Sequence, residues 1–158
     1  MLICLAVILF CFTLIAPPAA PPPAAKGANA PGAYGRPWIE CGNICWEDER
    51  ALLDHFAIAL SNDPSAIGYI TVFDGKRACR KEAEARAIRA RDYLVNFRGI
   101  EWDRVAWRYG GHRQEYTMFA HLFPRGVLPA LPEATVPASE SKEDCGAKTH
   151  RRPKCPAR

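Results

Sequence analysis

The middle of the sequence lacks an excess of charge of either sign. Residues 38–126 hold 13 acidic and 13 basic side chains, so the net charge of +4 comes from the flanking segments. Proteins that bind nucleic acids usually carry a concentrated basic footprint. The balanced charge therefore argues against a nucleic acid as the partner.

The first sixteen residues also lack charge, and all but Thr13 are apolar. As a helix, the run from Leu2 to Ala16 would span about 22 Å, less than the roughly 30 Å hydrocarbon core of a bilayer. This favours a cleaved signal over a short membrane anchor in residues 1–20, and both alternatives stay open because neither has the usual preceding positive charge. We expect an exported protein of the periplasm or cell envelope.

Proline, alanine and glycine dominate residues 21–37, which bury too little apolar surface to fold alone and are predicted to form a linker. Residues 127–158 are again rich in proline and charge, which predicts a disordered or disulfide-looped tail. This leaves residues 38–126, about 90 residues, as one small domain.

Strand-like and helix-like patterns alternate through this domain. The run at 67–73 is almost continuously apolar, which is typical of a central strand covered on both faces. Strands are also predicted at 38–46, 105–109 and 116–123, and helices at 47–60 and 81–98. The predicted class is α/β, an α+β sandwich with a small mixed sheet, two helices on one face, and the order β-α-β-α-β-β.

Two glycine positions refine this prediction. Gly99 follows the second helix and should take the left-handed conformation, with Ile100 folding back on the last turn. Gly110-Gly111 lies between the last two strands and predicts an antiparallel hairpin.

Alternation along the last strand places aromatic side chains on both faces of the sheet. Phe119, His121 and Phe123 share one face, and the other carries Tyr116, Met118, Ala120 and Leu122. Because two helices cover only one face, the strip of Phe119, His121 and Phe123 is a candidate interaction surface. The alternative is that these residues form the core and rim of the sheet.

A basic loop follows the central strand. Lys76, Arg77, Arg80 and Lys81 could meet phosphate or an acidic partner, and we include Lys76 and Arg77 in the candidate surface. The alternative is a solvated loop whose charge nearby carboxylates neutralise.

Five cysteines follow the N-terminal segment, so at least one is unpaired or pairs outside the molecule. We expect Cys79 to pair with Cys41 or Cys45, and Cys145 with Cys155. The spacing of Cys145, His150 and Cys155 fits no tight metal-ligand pair, so we predict no metal. No nucleophile signature surrounds Cys45 or Cys79, so we expect neither an enzyme nor a cofactor.

The second predicted helix and its exit carry several short motifs. They are Arg86-Ala87, Asp92-Tyr93-Leu94, Arg98-Gly99-Ile100 and Asp103-Arg104-Val105. This set resembles the OmpA-like C-terminal domain, which has an Arg-Ala, a Tyr-Leu and a Gly-Ile at this spacing and the same element order. Residues 48–58 and 92–96 are also similar to divergent OmpA-like domains of acidobacterial envelope proteins. The resemblance covers residues 39–123.

This resemblance implies a ligand site. Members of the family bind the diaminopimelate of peptidoglycan through an Asp after the central strand and the Arg of the Arg-Ala pair. Arg86 matches that Arg, and Asp74 lies near the place of the Asp. The alternative for Arg86 is a surface ion pair with Glu82, one helical turn earlier.

Two functions are consistent with these features. In the first, which we favour, the domain is a non-enzymatic envelope interaction module, an accessory subunit of a membrane-associated complex with an envelope or membrane protein as partner. In the second, it is a peptidoglycan-binding anchor that uses Asp74 and Arg86.

Overall fold

The computed structural model describes residues 36–79, 81–127 and 130–145. The strands are β1 Ile39–Cys41, β2 Ala66–Asp74, β3 Arg77–Ala78, β4 Val105–His112, β5 Thr117–Pro124 and β6 Lys142–Glu143. The α-helices are α1 Trp46–Asn62 and α2 Glu82–Asp92, with a π-helical turn at Tyr93–Phe97 and 3₁₀ turns at Trp102–Arg104 and Ala138–Glu140. No helix in these described ranges is long and apolar enough to cross a membrane.

The main sheet has four strands in the order β1-β5-β2-β4. Strand β2 pairs in parallel with β4 and antiparallel with β5, which also pairs antiparallel with β1. Ile70, Thr71, Val72 and Phe73 are consecutive in β2 and all fully buried, so both faces of this strand are covered. The prediction of a central strand is confirmed.

The predicted hairpin between β4 and β5 is wrong, because both strands pair with β2 rather than with each other. The chain between them crosses the end of β2, where the Arg113 amide donates to the Asp74 carbonyl at 2.8 Å. Gly110 lies inside β4, where a Cβ would be 2.4 Å from the Phe73 ring. Gly110 thus serves close packing against Phe73, and Gly111 has φ 99° and lies beside Ala134, so the pair does not form the predicted hairpin loop.

Both α-helices contribute to one hydrophobic core with the same face of the sheet. Phe56 of α1 and Ala87 of α2 join Ile70 and Met118 in that core. Ala83, Ala87 and Ala90 are fully buried, since their small side chains let α2 approach the sheet closely. The predicted mixed α+β class is confirmed.

The boundaries of two elements are informative. The first strand is shorter than predicted, because Trp46 begins α1 and does not extend β1. The acidic residues that follow Trp46 favour the start of a helix there. Gly99 has φ 73°, and the Ile100 amide donates to the Leu94 carbonyl at 3.0 Å, which confirms the predicted helix exit.

Residues 130–145, which we name the strap, pack against the domain although the sequence assigned them to the tail. The Val136 side chain is buried, and its amide donates to the His112 carbonyl at 3.1 Å. Further along, β6 pairs in parallel with β3. The folded unit therefore extends past residue 126.

The predicted cysteine pairing is wrong. Cys79 forms a disulfide with Cys145, Cys45 is also disulfide-bonded, and Cys41 is free and buried. Cys155 lies outside the described residues. The strap brings Cys145 to Cys79 through the pairing of β6 with β3, a long-range contact that cysteine spacing does not encode.

The strip of Phe119, His121 and Phe123 is buried, with 5%, 3% and 7% of each residue exposed. Its rings stack along β5, with centroid distances of 6.3 Å and 5.6 Å. The Arg113 guanidinium lies over the Phe119 ring at 4.8 Å. These residues form the packed second face of the sheet, so the prediction of an uncovered aromatic surface is wrong.

Arg104 joins the end of α1 to the start of β2 from a buried position. Its Nη2 donates to the carbonyls of Leu60 at 2.6 Å and Asp63 at 2.7 Å, and its Nε donates to the Ala66 carbonyl at 3.1 Å. Helix-terminal carbonyls need such donors when water is excluded.

We predict that Arg104→Ala lowers the free energy of unfolding by about 3 kcal/mol, because it leaves buried carbonyls without donors. The matched control is Arg125→Ala, which removes an exposed ion pair with Asp103 and should change stability by less than about 0.5 kcal/mol. Urea denaturation of both variants measures the difference. Equal losses in the two variants would contradict this role for Arg104.

Candidate functional site

Asp74 is the last residue of β2 and lies where α2 begins. Its Oδ1 accepts a hydrogen bond from the Ala83 amide at 3.0 Å. Lys81, the residue before α2, is in the left-handed conformation with φ 62° and makes no side-chain cap. Asp74 thus supplies from another element the acceptor that a helix N-terminus needs.

A cleft of about 400 Å³ opens beside Asp74. Tyr109 and His112, at the end of β4, and Glu84 of α2 line it together with residues of the strap. The cleft therefore lies at the carboxyl ends of β2 and β4, where sheets with parallel strands commonly place ligands.

The electrostatics of Asp74 reflect its burial. Only 5% of the residue is exposed, and desolvation raises the pKa of its carboxyl above the ordinary 3.8, although hydrogen bonds from the Ala83 amide and the Tyr109 hydroxyl oppose the shift. Burial and the nearby Asp74 charge raise the pKa of Tyr109. The Tyr109 hydroxyl also lies 3.2 Å from His112 Nε2.

Arg86 is held within the fold and is only 2% exposed. Its Nη2 donates to Asn43 Oδ1 at 2.5 Å and to Glu82 Oε1 at 3.1 Å, and the guanidinium lies 4.0 Å from the centroid of the Tyr116 ring. The predicted ion pair with Glu82 is thus present, in a buried setting. Arg86 packs α2 against the loop after β1.

The structure does not join the two predicted ligand residues. Among the described residues, no hydrogen bond or ion pair links Asp74 to Arg86, and each has other partners. Asp74 faces the cleft, whereas Arg86 lies beneath Tyr116.

The two basic residues of the candidate surface hold the strap. Lys76 Nζ lies 3.2 Å from Glu140 Oε2, and Arg77 Nη2 lies 2.6 Å from Asp144 Oδ2. Lys76, Arg77 and Glu140 are exposed and Asp144 is half-buried, so each pair contributes modestly to stability.

Sequence reasoning missed the cleft residues Tyr109 and His112. Tyr109 was predicted only as the end of the strand at 105–109, and nothing in the sequence indicated that the strap would lie beside it. No local signal showed that this strand pairs in parallel with β2, which brings its end next to Asp74.

Burial also decides the chemistry of the free thiol. Desolvation, with a further contribution from Glu49, raises the pKa of Cys41 to about 12. The thiol therefore stays protonated at neutral pH and is a poor nucleophile.

No group of three or more potential metal ligands occurs within the described ranges. Neither a protein-family model nor a curated protein matches this chain.

We predict that Asp74→Asn stabilises the protein increasingly as pH rises. A raised pKa in the folded state means that the proton on Asp74 stabilises the fold below 3.8 and that this contribution is lost as pH rises through the folded value. Asparagine keeps the acceptor for the Ala83 amide without a buried charge. Its advantage over the parent should therefore grow from about pH 4 to pH 7.

The control is Asp74→Ala, which removes the acceptor and should lower the free energy of unfolding by about 1 kcal/mol. Thermal or urea unfolding across the pH range measures all three proteins. An Asn variant that loses stability relative to the parent as pH rises would show that the carboxylate form is the one that the fold favours.

Proposed function

We propose that this chain is an exported, non-enzymatic interaction module of OmpA-like fold that serves in the cell envelope as an accessory subunit of a membrane-associated complex. The observation that carries the proposal is the internal use of Asp74 and Arg86. Asp74 caps α2, and Arg86 is buried against Asn43, Glu82 and Tyr116. The Asp74 carboxyl borders the cleft but already accepts from the Ala83 amide, and Arg86 is enclosed by its internal contacts.

Two features support an exported location. The uncharged apolar run at residues 1–16 resembles a secretory signal. The Cys79–Cys145 disulfide is of a kind that persists in oxidising compartments and is rare in the cytosol.

The exposed aromatic residues beside Gly99 support a protein partner. Phe97 is 72% exposed and Trp102 is 70% exposed, on either side of this tight turn. Arg91 Nη2 donates to the main-chain carbonyl of Trp102 at 3.3 Å, which holds the backbone at that residue. Phe97 also ends the π-helical turn, a type of irregularity that is frequent at functional sites. Exposed aromatic residues in fixed positions are typical anchors of protein interfaces.

The second candidate function is a peptidoglycan-binding anchor. Two observations favour it: Asp74 lines the cleft, and Nε and Nη1 of Arg86 have no hydrogen-bond partner among the described residues. A ligand that carries both an ammonium and a carboxylate group would need such an acceptor and such donors. In this function, Arg86 would have to exchange its internal contacts for the ligand.

Retention of the full chain on purified sacculi separates the two functions. We expect the parent protein to show no more retention than Arg86→Lys or Asp74→Asn, because the cell-wall pair is engaged inside the fold. Lysine preserves the charge beside Glu82 but not the planar fork of arginine, which keeps the variant folded while removing bidentate binding.

The control for retention is Arg113→Lys, which changes a different Arg that packs over Phe73. Circular dichroism confirms that each variant is folded. Retention of the parent and of Arg113→Lys, with loss in both Arg86→Lys and Asp74→Asn, would establish the anchor and refute the interaction module.

A photo-crosslinking residue tests the partner surface directly. We expect discrete adducts with an envelope protein when it replaces Phe97 or Trp102, because these side chains project from the domain. The same probe in place of Ile58, which is 52% exposed on α1, serves as the control. Equal adducts at all three positions would argue against a surface centred on Phe97 and Trp102.

A further inference from the structure

The strap forms one wall of the cleft. Ser141, Lys142 and Glu143 line the cleft across from Tyr109 and Asp74. Access to Asp74 from this side therefore depends on where the strap lies.

The noncovalent contacts of residues 137–145, which we name the outer strap, are a short ladder and ion pairs, of which Arg77 with Asp144 has side chains 66% and 24% exposed. Strands β3 and β6 form a ladder of two residues each, in which the Lys142 amide donates to the Lys76 carbonyl at 2.8 Å. The ion pair of Lys76 with Glu140 has side chains 41% and 57% exposed, and such pairs stabilise a structure only slightly. Val136, which precedes residues 137–145 in the strap, is buried and therefore attaches its part of the strap more strongly.

The disulfide is thus the strongest attachment of the outer strap. It joins two cysteines that are 66 positions apart in the sequence and ties the strap's last described residue to the chain just before α2. Cys145 is exposed, whereas Cys79 is half-buried. A reductant therefore reaches the Cys145 sulfur more readily.

We propose that the Cys79–Cys145 disulfide is a reducible latch, and that its reduction by a dithiol releases residues 137–145 and opens the cleft beside Asp74. A thiolate of the dithiol attacks Cys145 Sγ, the disulfide bond breaks, and Cys79 leaves as a thiolate that takes a proton. The second thiol of the reductant then attacks the mixed disulfide and frees Cys145. The reductant is oxidised to its own disulfide and supplies two electrons and two protons.

Opening is expected to be local. Val136 remains buried and bonded to His112, so the released segment pivots from that point. The sheet strands β2 and β5 do not depend on the strap for their pairing. This inference concerns access to the cleft and holds for either function proposed above.

Hydrogen exchange of the full chain, oxidised and after dithiothreitol treatment, tests the latch. We expect protection of the Lys142 and Asp144 amides, which donate to the Lys76 and Ala78 carbonyls, to fall by roughly tenfold or more on reduction. Protection in β2 and β5, for example at Ile70, should change far less.

A double variant, Cys79→Ser with Cys145→Ser, removes the latch without reductant and so leaves the disulfide of Cys45 intact. It should match the exchange of the reduced parent in the strap and should not respond to dithiothreitol there. Unchanged protection of Lys142 and Asp144 in both the reduced parent and the variant would overturn the proposal. An equal loss at Ile70 would overturn it too, because the disulfide would then support the whole fold.

Discussion

The fold depends on one constraint, the burial of β2 on both faces and along both edges. A strand whose consecutive residues Ile70 to Phe73 are all buried needs a neighbour on each side and a layer on each face. Strands β4 and β5 supply the neighbours, and α1 and α2 supply one layer. The stacked rings of Phe119, His121 and Phe123 pack the other face. The order of strands in the sheet follows from this constraint. Strands β4 and β5 must lie on opposite edges of β2, and the link between them must cross the end of β2.

That crossing explains why Asp74 has two roles. The end of β2 meets the Arg113 amide on one side and the N-terminus of α2 on the other. A carboxyl at this position caps the helix and borders the cleft, but its burial disfavours the charged form. Arg86 shows the same balance, since a guanidinium that is 2% exposed needs Glu82, Asn43 and the Tyr116 ring around it. Residues that suit a ligand site are therefore also structural residues here.

The parts of the fold that the sequence predicted correctly are those set by nearby residues. The apolar run of β2, the second helix and the exit at Gly99 each depend on local periodicity or on one backbone conformation. The errors concern long-range partners. Nothing local distinguishes a β4–β5 hairpin from two strands that flank β2, and nothing in cysteine spacing pairs Cys79 with Cys145. The candidate site shows the same difference. Asp74 was predicted from its place after the central strand, whereas the positions of Tyr109, His112 and the strap at the cleft could not be predicted without the order of strands in the sheet.

The strap shows how a weakly attached segment acquires a fixed position. Its ion pairs, which are at least partly exposed, and its two-residue ladder would let it exchange between docked and free states. A covalent bond to Cys79 changes that balance without adding any contact to the docked state, because it removes most of the alternative positions. The wall of the cleft is then set by the oxidation state of one cysteine pair rather than by the packing of the strap. For the exported module that we propose, the redox state of the compartment would then help to determine the shape of the site.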